Sequence, residues 1–155
     1  MVRSISVPDE ELQRAAVFRS ALRRFLARTD EVASAAGLTS QRYDLLLAIK
    51  TGPGATSTMT DLGNRLSLRQ TAVTELVKRT EEAGLIARST STTDGRVVVL
   101  ALTAEGEQRL MRAFVGLREE RRQLAEAMSL VGSSFRAFVH SQQDVASHGL
   151  PDSRV

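Results

Sequence analysis

The stretch from Thr58 to Thr103, TMTDLGNRLSLRQTAVTELVKRTEEAGLIARSTSTTDGRVVVLALT, decides how this chain folds. Thr58 followed three residues later by Asp61 has capping-box spacing, in which the threonine hydroxyl satisfies an orphan N–H at a helix start. That helix runs only to about Leu66. Ser67-Leu68 breaks it, and a second helix begins near Arg69 or Gln70, burying Val73, Leu76, Val77 and Thr80 at spacings of three and four. Its other face shows Gln70, Thr71, Thr74, Glu75, Lys78 and Arg79, and Gly84 ends it. Leu85–Ser91 and the β-branched run Val97–Leu102 read as two strands, joined by a turn over Thr92–Gly95 that leaves Asp94-Gly95-Arg96 at the tip. Short helix, tight connection, amphipathic helix and hairpin form the layout of a winged helix-turn-helix. A helix of this size fits the DNA major groove, and an arginine on a hairpin tip can reach the neighbouring minor groove. Double-stranded DNA is therefore the leading expectation for a partner.

Outward from this segment the chain reads as helical. Residues 8–36 form one long helix, with Leu12, Ala15, Phe18, Leu22, Phe25, Thr29 and Val32 on a stripe and an acidic first turn after Pro8. A helix from about Thr39 to Thr51 carries Leu45, Leu46, Ala48 and Ile49, and Gly52-Pro53-Gly54 stops it. Ala55-Thr56-Ser57 reads as loop. After Thr103 a long helix is expected to about Met128, an interruption at Ser129–Gly132, and a last helix over 133–146. Leu110, Phe114, Leu117, Arg121, Leu124 and Met128 alternate at four and three, the spacing of a coiled-coil seam, and Phe135, Phe138 and Val139 add a second apolar patch. The fold class is thus mainly α with a small β-hairpin wing. Residues 38–103 form the winged helix-turn-helix, 8–36 and 104–146 a helical dimerisation region, and 147–155 a flexible tail.

Composition narrows the function. The chain has 155 residues, no cysteine and a net charge of +3, carried by many arginines and only two lysines, Lys50 and Lys78. A disulfide framework, thiolate metal site and cysteine redox switch are excluded. No apolar run is long enough for a membrane span, and the first thirty residues lack the apolar centre of a secretory signal, so a cytoplasmic protein is expected. Nothing points to an enzyme: no glycine-rich phosphate loop or His-Glu metal motif occurs, and His140 and His148 stand alone near the C-terminus. No catalytic residue, metal or cofactor is assigned.

In sequence and order the chain resembles the MarR family of regulators over residues 8–146. LTSQRYDLLLAI is similar to that family's second helix, MTDLGNRLSLRQTAVTELVKRTEEAGLI to its helix-turn-helix, and DGRVVVLALTAEGE to its wing and the start of its dimerisation helix. The resemblance implies a homodimer with the first and last helices at its base. It also implies binding to palindromic promoter DNA, usually as a repressor, and release by a small lipophilic or phenolic anion. Three positions depart from the family pattern: Ser67 where glycine is common, Arg69 where a serine-like cap is common, and Glu75 where a basic residue is common.

Particular residues then take expected roles. Arg69 and Gln70 suit guanine and adenine edges, and Thr71 and Thr74 suit phosphates or thymine methyls. Thr71 could instead serve the helix start. Glu75 either accepts from cytosine N4 or pairs with Lys78 or Arg79. Lys78 and Arg79 suit phosphates. Arg88 either reaches the backbone or is a solvated strand arginine, Arg96 suits the minor groove, and Asp94 shapes the turn or holds Arg96. Leu12, Phe18, Leu117, Leu124, Phe135 and Phe138 are the candidate dimerisation residues. Arg19, Arg23, Tyr43 and Arg112 are candidates to orient an anionic aromatic effector. The competing reading is a winged helix that binds another protein and no DNA, which would present apolar anchors in place of Arg69, Gln70, Lys78 and Arg96.

Overall fold

The computed structural model describes residues 7–91 and 94–147, with side chains described as far as residue 132. Phe135 and Phe138 therefore lie outside the described side chains, and residues 148–155 of the expected tail lie outside the described residues. The described elements are six helices, three strands and a 3-10 turn: α1 (Asp9–Ala35), α2 (Ser40–Lys50), the 3-10 turn (Pro53–Ala55), β1 (Thr56–Ser57), α3 (Met59–Leu66), α4 (Gln70–Glu82), β2 (Ile86–Thr90), β3 (Val98–Leu102), α5 (Ala104–Gly116) and α6 (Arg118–Ser147).

Three threonines start helices by the same means. Thr39 Oγ1 accepts from the Arg42 N–H, Thr58 Oγ1 from Asp61 and Thr103 Oγ1 from Gly106, each at 3.1–3.2 Å, satisfying donors that a helix leaves unpaired. At Thr58 the hydroxyl also donates to the Asp61 carboxylate at 2.8 Å, so Asp61 closes onto the cap hydroxyl. Between α3 and α4, Ser67 takes the left-handed conformation (φ 53°, ψ 38°), and the Leu68 N–H bonds the Gly63 carbonyl at 3.0 Å. This is the glycine-type ending of a helix, made here with a serine.

The sheet has strand order β1-β3-β2, all antiparallel, with Thr56 opposite Ala101 and Arg88 opposite Leu100. β1 is a correction to the expected two-stranded wing: Thr56 and Ser57 pair with β3 and do not form loop. Two residues are too short a run to show the alternation that marks a strand.

The chain forms two compact parts, one of residues up to Leu26 with those from Glu119 onward, the other Ala27–Arg118. The core of the second part draws on residues on both flanks of 38–103. Leu45, Leu46 and Ile49 of α2, Leu62 of α3, and Val73, Leu76 and Val77 of α4 pack with Leu85, Ile86 and Leu100, and with Ala33, Ala36, Leu110, Ala113 and Leu117. The break in the C-terminal helical region also falls elsewhere than expected. It lies at Gly116–Leu117, and α6 runs unbroken through 129–132. Gly116 approaches α1 so closely that a Cβ there would stand 2.7 Å from Val32 Cγ1, while Leu117 is fully buried. Close approach and burial at that point outweigh continuity of the helix. No described helix is long and apolar enough to cross a membrane.

Candidate nucleic-acid interface

α4 divides cleanly into two faces. Val73, Leu76, Val77 and Thr80 are buried, with the Thr80 hydroxyl satisfied by the Leu76 carbonyl at 2.6 Å. Gln70, Thr71, Thr74, Glu75, Lys78 and Arg79 are all exposed, and Arg69 stands exposed at the N-cap with extended backbone and no capping bond of its own. Seven of the ten expected contact residues therefore share one exposed surface, anchored from behind by an apolar face that fixes the helix rotation.

Two arginines the sequence did not single out brace this surface. Arg42 of α2 donates to the Arg79 carbonyl at 3.0 Å, at the C-terminal end of α4. Arg65 of α3 donates to the Ala48 carbonyl and, at 2.6 Å, to Thr51 Oγ1, tying α3 to the end of α2. Both satisfy carbonyl or hydroxyl acceptors near a helix C-terminus, where cationic side chains are favoured. No sequence pattern marks these bonds, since they join residues 37 and 17 positions apart.

The exposed side chains differ in their readiness to bind. The Thr74 hydroxyl donates to the Gln70 carbonyl at 2.8 Å, leaving lone pairs and a methyl but no free donor for a phosphate. Arg79 uses Nε on the Glu75 carbonyl at 3.3 Å and keeps its outer nitrogens. The Glu75 carboxylate forms no ion pair among the described residues, so the expected pairing with Lys78 or Arg79 is absent. Arg88 on β2 is exposed and paired: its Nε donates to Glu81 Oε2 of α4 at 3.0 Å.

At the wing tip, Asp94 Oδ1 accepts the Arg96 backbone N–H at 3.0 Å, and the Val97 N–H returns to the Asp94 carbonyl at 3.0 Å. Asp94 thus shapes the turn and fixes the Arg96 backbone, and Arg96 itself is exposed. Beside the wing lies a groove of about 520 Å³ that the sequence reading missed. Its walls are the hydroxyl residues Thr56, Ser57 and Thr58 on one side and Ser89, Thr90 and Ser91 on the other, flanked by Asp61 and Asp94. The two hydroxyl runs are visible in the sequence, but only the pairing of β1 with β3 brings them to one groove.

The remaining candidates scatter. Tyr43 is 3% exposed and packs in the core. Leu117 is likewise packed within this chain. Leu12 is 57% exposed, and Phe18 and Leu124 are half-buried. Arg19, Arg23 and Arg112 are exposed.

Residues 36–97 match the model of the MarR family. A protein of Thauera aromatica, named for an inferred role in transcriptional regulation of the hcr operon, is 34% identical over 93 residues; the match covers 60% of this chain and 53% of that protein, so the chain spans about half of that relative's length. Sco3205 of Streptomyces coelicolor, described as a MarR family transcriptional regulator and solved in complex with DNA, shares 21% identity with a TM-score of 0.61, covering 97% of this chain and 94% of that one. A mutant MarR of Escherichia coli solved with operator DNA shares 18% identity with a TM-score of 0.59, covering 91% and 99%. At these identities the two structures show a common fold. Family match and fold agree with the helix-turn-helix and wing built above, and over residues 36–97 the chain is similar to the MarR family.

Proposed function

We propose that this chain is a sequence-specific transcriptional regulator that binds a palindromic operator in double-stranded promoter DNA as a homodimer, acting in the cytoplasm as a repressor and without catalysis. The observation that carries the reading is the exposed face of α4: Arg69, Gln70, Thr71, Thr74, Glu75, Lys78 and Arg79 stand together over a fully buried apolar face. Such a helix offers bidentate partners for base edges at its N-terminal end and cations for phosphates further along. Arg96 on the wing supplies a minor-groove cation. A protein-binding winged helix would present apolar anchors on this face, and this one presents none. That relatives of this fold were solved with DNA adds support.

For the homodimer, support comes from the terminal helices. Leu12, Val17 and Leu26 of α1 and Met128 and Leu130 of α6 are each about half exposed or more, an apolar load that a second copy of the chain would cover. Release by a small lipophilic or phenolic anion follows from the family resemblance, with Arg19, Arg23 and Arg112 as exposed candidates to receive its charge. Fluorescence anisotropy of a labelled duplex, titrated with the full chain across salt concentrations, tests the reading. The account expects binding whose log affinity falls linearly with log salt; a chain that leaves the duplex free even at low salt refutes it.

A further inference from the structure

Glu81 carries a negative charge on the side of α4 otherwise given to DNA. With 3.6 residues per turn, positions 70, 74, 78 and 81 follow one another along a single helix face, so Glu81 continues the row of Gln70, Thr74 and Lys78 toward the C-terminal end. A carboxylate facing phosphates is unfavourable, and one near a helix C-terminus is disfavoured by the dipole as well. Its partner is Arg88 of β2, the first strand of the wing, at 3.0 Å, and the two side chains remain 36% and 44% exposed. An exposed pair of this kind adds little to stability. Its effect on charge is larger: the one carboxylate in this row neutralises a wing arginine.

Resting on the DNA-binding reading above, we propose that Glu81 is a built-in brake on DNA affinity, acting by holding Arg88 away from the phosphate backbone. Arg88 pairs with Glu81 in the free protein and competes between that carboxylate and a phosphate oxygen in the bound one. The wing strand is thereby kept from contributing a full electrostatic contact. Affinity gained from phosphates carries no sequence information, so restraining it favours discrimination between operator and bulk DNA.

The test uses the full chain and a fluorescein-labelled 30-base-pair duplex of random sequence, because the proposed effect is on phosphates and not on bases. Glu81→Gln keeps the size and hydrogen-bonding capacity of the side chain and removes the charge. It is expected to bind the duplex more tightly than wild type and to steepen the log–log salt dependence by about 0.9, the value of one added phosphate contact. Its advantage should then shrink by about threefold between 50 and 200 mM salt, which is that slope applied over a fourfold change in concentration. In an Arg88→Ala background the same change should lose most of this steepening, since no arginine is released. Glu81→Ala and thermal melts of every variant guard against a folding artefact. Equal affinity and slope for wild type and Glu81→Gln would overturn the proposal, as would the same steepening with Arg88 absent. A wild-type chain that fails to bind the duplex at 50 mM salt would instead refute the DNA-binding reading itself.

Discussion

Gly106→Ala should loosen the base of the wing and weaken DNA binding. Gly106 lies in the first turn of α5, buried, where a Cβ would stand 2.0 Å from the Leu85 carbonyl oxygen and 2.9 Å from its carbon. An ordinary carbon–oxygen contact needs roughly 3.4 Å, so backbone must separate by more than an ångström. The obstacle is main chain, which cannot swing aside as a flexible side chain would. The same Leu85 oxygen accepts the Thr103 N–H at 3.0 Å, and the Thr103 hydroxyl donates to the Gly84 carbonyl at 2.7 Å. Moving α5 therefore strains the two bonds that join the end of α4 to the end of β3. Overpacking of this kind costs about 1–3 kcal/mol, and at least one bond put at risk adds about 1 kcal/mol. The better helix propensity of alanine offsets about 1 kcal/mol. The net expectation is a destabilisation of about 1–3 kcal/mol, or a melting point lower by several degrees for a chain of this length. Calorimetry measures the shift, and duplex anisotropy at a temperature where the variant is fully folded measures any loss of affinity. A variant as stable as wild type, binding DNA equally well, would refute the packing argument at α5.

Other substitutions have distinct signs. Ser67→Gly removes the left-handed strain of an L-residue at φ 53° and should stabilise the chain by about 0.5–1 kcal/mol in urea melts, after allowing for the greater freedom of glycine when unfolded. Asp44 is exposed, yet partial desolvation by its neighbours pushes its carboxyl above the ordinary value of 3.8, so its ionised form is disfavoured in the fold. Asp44→Asn should therefore be more stable than wild type at neutral pH, with the gain disappearing as pH falls below 3.8, where both folded and unfolded carboxyls are protonated; a gain that persists there contradicts the assignment. Leu117→Ala, at a fully buried site, should cost about 2–5 kcal/mol of stability, whereas Leu12→Ala, largely exposed, should shift the dimer–monomer balance seen by light scattering.

Most of the helix-turn-helix was legible because its signals are local. Thr39, Thr58 and Thr103 announce helix starts within three residues, and the spacing of Val73, Leu76, Val77 and Thr80 alone determines which side of α4 is exposed. What escaped depends on partners distant in the chain. β1 exists only because β3 lies alongside it, and the Arg88–Glu81 pair only because β2 returns past the end of α4. The sevenfold spacing of Leu110 and Leu117 fits a seam between chains and a core within one equally well. Both are buried in the core of this chain. Ser129–Gly132 reads as a break because serine and glycine weaken helices, yet α6 continues through it, since the propensity cost of each residue inside a helix is only about 1 kcal/mol or less.

The central claim is that α4 reads base sequence. Selection from a randomised duplex pool, carried out with wild type, Arg69→Ala, Gln70→Ala and Lys78→Ala, tests it most directly. Wild type should enrich a two-fold symmetric site whose half-sites lie about one helical turn apart. Arg69→Ala and Gln70→Ala should each lose preference at particular base pairs, with a penalty of about 1–3 kcal/mol on the original site, while Lys78→Ala keeps the consensus and binds every sequence more weakly. Enrichment of an unchanged consensus by Arg69→Ala and Gln70→Ala, or no enrichment by wild type, would contradict the account.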